Sequence, residues 1–343
     1  MDAPLPSSTT LRSAEDLRAA GLIAPNDEAA IADLAARFAI AVPPALQALI
    51  ETPGDPIARQ FVPSPAELRI APHESTDPIG DEALSPIKGI VARYPDRVLL
   101  KPLLACPVYC RYCFRREQVG PDGGLLTESE LDAALAWIAA RPAIREVILT
   151  GGEPLMLSAR RLAELLTRLD AIAHLDTLRI HTRAPIATPE RITPAHLDAM
   201  ETSKPLFVVL HANHAREFTP QVRDILRDIG KRGVALLGQS VLLRGVNDSA
   251  EALEALFRAM LAARVKPYYL HQLDAAPGTS HFHVPIDEGR ALMASLRGRL
   301  TGIALPTYVL DIPGGAGKVP IGPDFIAEDG SVRDPWGGVH RIP

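Results

Sequence analysis

From Arg97 onward the chain alternates two kinds of apolar pattern. Short runs rich in β-branched and aromatic residues predict strands: RVLLKPL from Arg97, EVILTGG from Glu146, LRIHTR from Leu178, LFVVLHAN from Leu206, VALLGQSVLL from Val234 and VKPYYLHQL from Val265. Between them lie ESELDAALAWIAAR, ARRLAELLTRLDAI, PAHLDAMET, PQVRDILRDIG and SAEALEALFRAMLAAR, whose apolar residues recur every three or four positions and predict helices. This alternation predicts an α/β fold in which a parallel sheet is covered by helices, closed into a barrel or part of one.

Ahead of that rhythm the pattern changes. SAEDLRAAG predicts a short helix with Ser13 as its cap and Gly21 as its stop, and NDEAAIADLAARFAI and PPALQALIE predict two more. From Thr52 to about Gly89 the chain is rich in Pro, Asp and Ser and reads as an irregular, wrapped connector. The expected division is a helical extension and connector over 1–88, the barrel over 89–325 and a tail over 326–343.

Composition narrows the partners. The 343 residues are 47% hydrophobic with a net charge of −5 and both signs interspersed, so no basic face suggests nucleic acid. The start lacks a basic segment followed by an apolar run, and no stretch approaches the roughly 20 apolar residues that span a bilayer. The expectation is a cytoplasmic protein that binds neither nucleic acid nor membrane.

Chemically capable residues gather at the carboxyl ends of the expected strands. They include a cysteine loop after RVLLKPL, GGEP after the second strand, His211 after the fourth, Gln239 in the fifth and HQLD ending the sixth. Barrel enzymes build their active sites at that end. All three cysteines of the chain, Cys106, Cys110 and Cys113, lie in that one loop. An odd number at such short spacing suits a metal chelate better than a disulfide. A structural zinc site would need a fourth ligand from elsewhere. Three thiolates on a four-iron cluster leave one iron open to a small molecule, which is the favoured reading. Further on, PGGAGKVP places Lys318 after a glycine-rich loop. The P-loop spacing is absent, which leaves a Schiff-base lysine for pyridoxal phosphate or a plain surface lysine.

The CxxxCxxC loop, with Tyr112 before its last cysteine, and the GGEP segment resemble the radical S-adenosylmethionine superfamily. Over about 69–325 the chain is further similar to the lysine 2,3-aminomutase family. The matching segments, in order, are RYPDRVLL, CPVYCRYCFRR, GGEPLM, RIHTRAPI, RITP, QSVLLRGVND, PYYLHQLD, HF and PGGAGKVP. The resemblance implies a partial (β/α)6-type radical SAM barrel that carries a [4Fe-4S] cluster, S-adenosyl-L-methionine and pyridoxal 5'-phosphate. It assigns the cluster to Cys106, Cys110 and Cys113, and S-adenosylmethionine to Gly151, Gly152, Glu153, His211 and Gln239. Pyridoxal phosphate falls to Lys318, Arg93, Tyr94 and Arg97. Arg115 is expected to fork the substrate carboxylate, and Asp274 and Asp311 to hold the ε-ammonium of L-lysine, which would exclude glutamate.

The implied activity is an isomerase that moves the 2-amino group of L-lysine to C3, giving β-lysine. The implied partners are L-lysine, a reductant protein such as flavodoxin or ferredoxin, and a second copy in a homo-oligomer. The zinc-binding extension of longer family members has no counterpart here. The short form also resembles the branch that makes (R)-β-lysine for elongation factor P. A catalytically inactive iron–sulfur or zinc scaffold is the alternative of a different class.

Overall fold

The computed structural model describes residues 9–341. Residues 1–8 and 342–343, at the outer edges of the first and last expected segments, lie outside the described residues, as does the beginning of the stretch read as lacking a leader.

Each expected strand forms. They are β2 Arg97–Leu103, β3 Glu146–Gly151, β4 Thr177–Thr182, β5 Leu206–His211, β6 Ala235–Val241 and β7 Lys266–His271, each parallel to the next. The sheet extends further than the alternation suggested. β8 Thr307–Ile312 adds in parallel to β7, and β9 Gly317–Pro320 turns back antiparallel on β8. β1 Ile90–Val91 caps the other side, antiparallel to β2. β1 and β9 do not pair, so the curled sheet stays open: a partial barrel of six strand–crossover units and a closing strand.

Among the described residues four short helices precede the sheet: α1 Ala14–Ala19, α2 Glu28–Arg37, α3 Pro44–Gln47 and α4 Ala58–Phe61. The crossovers carry α5 Glu128–Ala139, α6 Ala159–Asp170, α7 Ala184–Ala187, α8 Pro194–Asp198, α9 Pro220–Lys231, α10 Ala250–Ala262 and α11 Ile286–Ser295. Side-chain caps start the long ones. The Thr127 hydroxyl accepts from Glu130 N–H at α5, and Ser158, Thr219 and Ser249 cap α6, α9 and α10 in the same way. The crossover from β4 to β5 is the irregular one. Pro185, Pro189 and Pro194 cut it into α7, a 3-10 turn and the five-residue α8, because each proline lacks a donor and clashes with the preceding turn.

Strand periodicity sorts the two faces. Val98, Leu100, Val147, Leu149, Leu178, Ile180, Val208, Leu210, Leu236 and Leu270 point outward into the helices and form the main core. Their neighbours point inward: Thr150, Arg179, His181, His211, Gln239, Tyr269 and His271 line a cavity. A parallel sheet ordinarily buries apolar residues on both faces. The polar inner face here makes the barrel a container.

The expected extension is continuous with this core. Leu17, Ile31, Leu34, Leu46 and Phe61 pack in the same apolar cluster as Val98 and Leu100. The expected tail folds as a hairpin of β10 Ser331–Arg333 and β11 Val339–Arg341. Among the described residues no helix is long and apolar enough to cross a membrane.

Candidate active site

All fifteen residues singled out from the sequence line one cavity of about 590 Å³ inside the barrel. The cysteine loop, Lys318 and the acidic residues all stand on its wall.

The loop after β2 is held from behind. Arg111, between two of the cysteines, is only 1% exposed and turns away from them. Its guanidinium forks the carboxylate of Glu67, at 2.7 Å on the shortest side, and donates to the carbonyl of Ala39 at 3.0 Å. Arg116 reaches the same carboxylate and donates to the carbonyl of Pro277 at 3.1 Å. Burial pushes the Glu67 carboxyl up, but the two guanidinium groups outweigh it and hold the pKa below the usual range.

Three thiols are thereby left facing the cavity. Burial, with the other cysteine sulfurs close by, raises Cys106 well above the usual thiol value and Cys113 to about 11. Such thiols ionise readily only with a cation among them, which is what a metal centre provides. Among the described residues no three His, Cys, Asp or Glu side chains are placed to hold a single metal ion.

GGEP supports this loop sterically. A Cβ on Gly152 would stand 2.3 Å from the carbonyl oxygen of Ala105, and Gly151 has a φ of 107°. Only glycine lets the end of β3 lie this close beneath the cysteine loop. Glu153 does not present a free charge. One carboxylate oxygen accepts from Leu155 N–H at 3.1 Å and Thr182 Oγ1 at 2.7 Å, the other from Arg183 N–H at 2.7 Å and Ala184 N–H at 3.0 Å. Burial raises its pKa against those four bonds. In this structure Glu153 ties β3 to the start of α7. His211, at the end of β5, bonds the buried hydroxyl of Tyr112 through Nε2 at 3.2 Å.

Lys318 is fixed by the antiparallel register of β9 on β8, which sets it directly opposite Asp311. Its Nζ pairs with the Asp311 carboxylate and lies 3.2 Å from His271 Nδ1. Its backbone N–H donates to the hydroxyl of Tyr94 at 2.8 Å, and the Arg97 guanidinium stacks 3.7 Å above the Tyr94 ring. Arg93 reaches Asp311 and Asp81, each at 3.2 Å. Arg115 also meets Asp81, through Nε at 2.9 Å and a second nitrogen at 2.8 Å. The two aspartates expected to share a ligand ammonium have unlike surroundings. Burial pushes Asp311 up, yet bonds from His271 and Lys318 prevail and hold it well below the usual carboxyl range. Burial, with Asp311 close by, raises Asp274 to about 7.

The cavity also contains residues to which the sequence reading gave no role. His181 and His271 are half-buried, each with a buried and unpartnered Nε2, and desolvation lowers both pKa values. Period-two placement on β4 and β7 was the signal available for them. Asp81 lies in the irregular connector, where no periodicity marks it.

Comparisons with known proteins bear on the family. Residues 100–258 match the family model of the radical SAM superfamily, and 293–333 match that of lysine-2,3-aminomutase. The chain is 41% identical over 288 residues to an L-lysine 2,3-aminomutase of Escherichia coli, covering 83% of each chain. It is 35% identical over 318 residues to that of Fusobacterium nucleatum, covering 92% of this chain and 75% of the relative. A glutamate 2,3-aminomutase of Clostridioides difficile is 33% identical over 303 residues, covering 88% of this chain and 72% of the relative. Relatives this similar over this much of their length place the chain: it belongs to the lysine 2,3-aminomutase family of radical SAM enzymes.

Proposed function

We infer that this chain is an isomerase that moves the 2-amino group of L-lysine to C3, giving β-lysine. The observation that carries the reading is one cavity lined by three thiols, a lysine opposite an aspartate, and a second aspartate.

The residues fit the groups the family uses. Cys106, Cys110 and Cys113 share the cavity wall and would be the ligands of a [4Fe-4S] cluster, leaving one iron for S-adenosylmethionine beside Gly151, Gly152, His211 and Gln239. Glu153 belongs to that site as the group that fixes its floor. Lys318 would hold pyridoxal phosphate, with Tyr94 and Arg97 beside it and Arg93 within the same charge network. When bound, the first pair supplies a radical able to take hydrogen from an unactivated carbon, and pyridoxal phosphate supplies a carbonyl to carry the migrating nitrogen.

The chain's own residues position and enclose. Arg115 offers the two-point contact that a substrate carboxylate needs, and Asp81 holds that fork in place meanwhile. Asp311 neutralises the Lys318 ammonium. With pyridoxal phosphate bound, Asp311 and Asp274 would be the two carboxylates available to the ε-ammonium of lysine. Two carboxylates at this place favour lysine over glutamate, whose distal carboxylate would be opposed by both.

The test is anaerobic incubation with iron-reconstituted protein, S-adenosylmethionine, pyridoxal phosphate, a reductant, and either lysine or glutamate. β-Lysine is the expected product, and its stereochemistry separates general metabolism from supply to elongation factor P. β-Glutamate as the main product would overturn the substrate, and no product with full iron and cofactor would favour an inactive scaffold. A flavodoxin- or ferredoxin-type donor, a cytoplasmic location and a homo-oligomer accompany this reading.

A further inference from the structure

Arg183, at the first position after β4, is only 6% exposed and reaches the cysteine loop from another chain segment. Its Nη1 points at the sulfur of Cys110 from 3.8 Å and also donates to the hydroxyl of Tyr112. Its Nη2 donates to Gln60 Oε1 at 2.8 Å and pairs with Glu217. Among the described residues it is the one guanidinium bonded to a cysteine sulfur. A guanidinium stays protonated in proteins, so this is a buried cation with Glu217 as its counterion.

Stability alone accounts poorly for this ion pair. A buried pair is often no more stable than apolar residues of the same volume. Glu217 already accepts from the backbone N–H groups of Asn213 and His214, each at 2.8 Å, which close the turn after β5. The arginine contributes something those bonds do not: a fixed positive end aimed at one sulfur, with its counterion on the guanidinium's other nitrogen.

We propose that Arg183 is a positioning residue for electron entry, which raises the reduction potential of an iron–sulfur cluster bound through Cys110, while Glu217 offsets part of that effect. The proposal rests on the assignment of the three cysteines to a cluster. One-electron reduction adds a negative charge to the cluster and moves no other bond. A cation against a ligand sulfur stabilises that added charge, and hydrogen bonds to sulfur shift cluster potentials in the same sense. The anion behind it opposes the shift from a greater distance.

The two charges therefore predict opposite outcomes. The measurement is a redox titration followed by electron paramagnetic resonance on anaerobically reconstituted full-length protein without S-adenosylmethionine, with iron and sulfide counted per chain. Glu217→Gln leaves the cation uncompensated and should move the potential upward. The double variant Arg183→Gln/Glu217→Gln removes both charges, leaves no buried ion unpaired, and should move it downward. At the wild-type midpoint the ratio of reduced to oxidised cluster should fall about tenfold, which is ~59 mV for a one-electron couple. Arg183→Lys should lie nearer to wild type than the double variant does. A merely structural role would lower iron content or move both variants the same way. Full iron with unmoved potentials, or shifts of one sign, would overturn the proposal while leaving the cluster in place. Wild-type protein that takes up no iron would overturn the cluster assignment itself.

Discussion

Asp274 and Asp311 show how position decides the chemistry of identical side chains. Both follow apolar runs and both face the cavity, yet one meets Lys318 and His271 and the other meets none. Asp274 is consequently raised to about 7, chiefly by burial and then by Asp311. The sign of the pH effect follows. An ammonium ligand favours the ionised carboxylate, so its binding must expel the proton that Asp274 carries below that pH. Lysine affinity of the cofactor-loaded protein should rise with pH, by roughly tenfold per unit below 7, and level off above it. Asp274→Asn should flatten that dependence and weaken binding. Calorimetry across pH 5.5–8.5 is the check, and a wild-type profile as flat as that of the variant would remove Asp274 from the ammonium site. Folding carries the opposite sign. The native carboxyl binds a proton more tightly than the usual 3.8, so stability falls as pH rises from about 4 to 7.

Between elements, the connector and the glycine loop ahead of β9 form one mechanical unit. Gly80 has a φ of 70°, and a Cβ there would stand 2.7 Å from the backbone of Gly314. The Gly314 N–H donates to the carbonyl of Pro78 at 3.3 Å, and Arg93 donates to that of Ile79 at 2.7 Å. Asp81, next in the connector, is the residue that joins Arg93 to Arg115. Gly80→Ala meets both a strained backbone and immovable peptide atoms, so the connector must lift from the loop. Pyridoxal phosphate binding, followed by its visible absorbance, should weaken at least tenfold, while the far-ultraviolet circular dichroism stays that of the wild type. Unchanged affinity would show that the connector does not position Lys318.

For the molecule as a whole, Glu67 is the joint. This buried carboxylate takes Arg111 and Arg116 from the cysteine loop, and Arg116 extends the contact to Pro277 beyond β7. The extension, the first barrel loop and the last crossover meet at one anion. Glu67→Gln leaves two buried guanidinium groups short of their counterion. Breaking a buried pair in this way costs about 3–5 kcal/mol. Denaturant melts of the ligand-free protein should show the unfolding free energy fall by that amount, through a lower midpoint with little change in slope. A loss below about 1 kcal/mol would mean that the extension is fastened by its apolar contacts alone.

The sequence by itself determined the elements, and its resemblance to a family marked the candidate residues that line the cavity. Its alternating apolar runs specify six strands, its Ser and Thr caps start the long helices, and chemically capable residues end successive strands. These signals are local, carried by period and spacing within a few residues of one another, so no folded chain is needed to detect them. Tertiary structure alone decided the pairings. Asp311 faces Lys318 because β9 folds back on β8 in one register, and a shift by one residue would send that side chain to the other face. Glu153 is a tie between loops because four donors from two chain segments converge on it. Asp81 reaches Arg93 and Arg115 from a segment without periodicity, and Arg183 meets Cys110 across 73 residues. A buried charge takes its protonation state and its partner from whatever the fold packs against it, and those neighbours are distant in sequence.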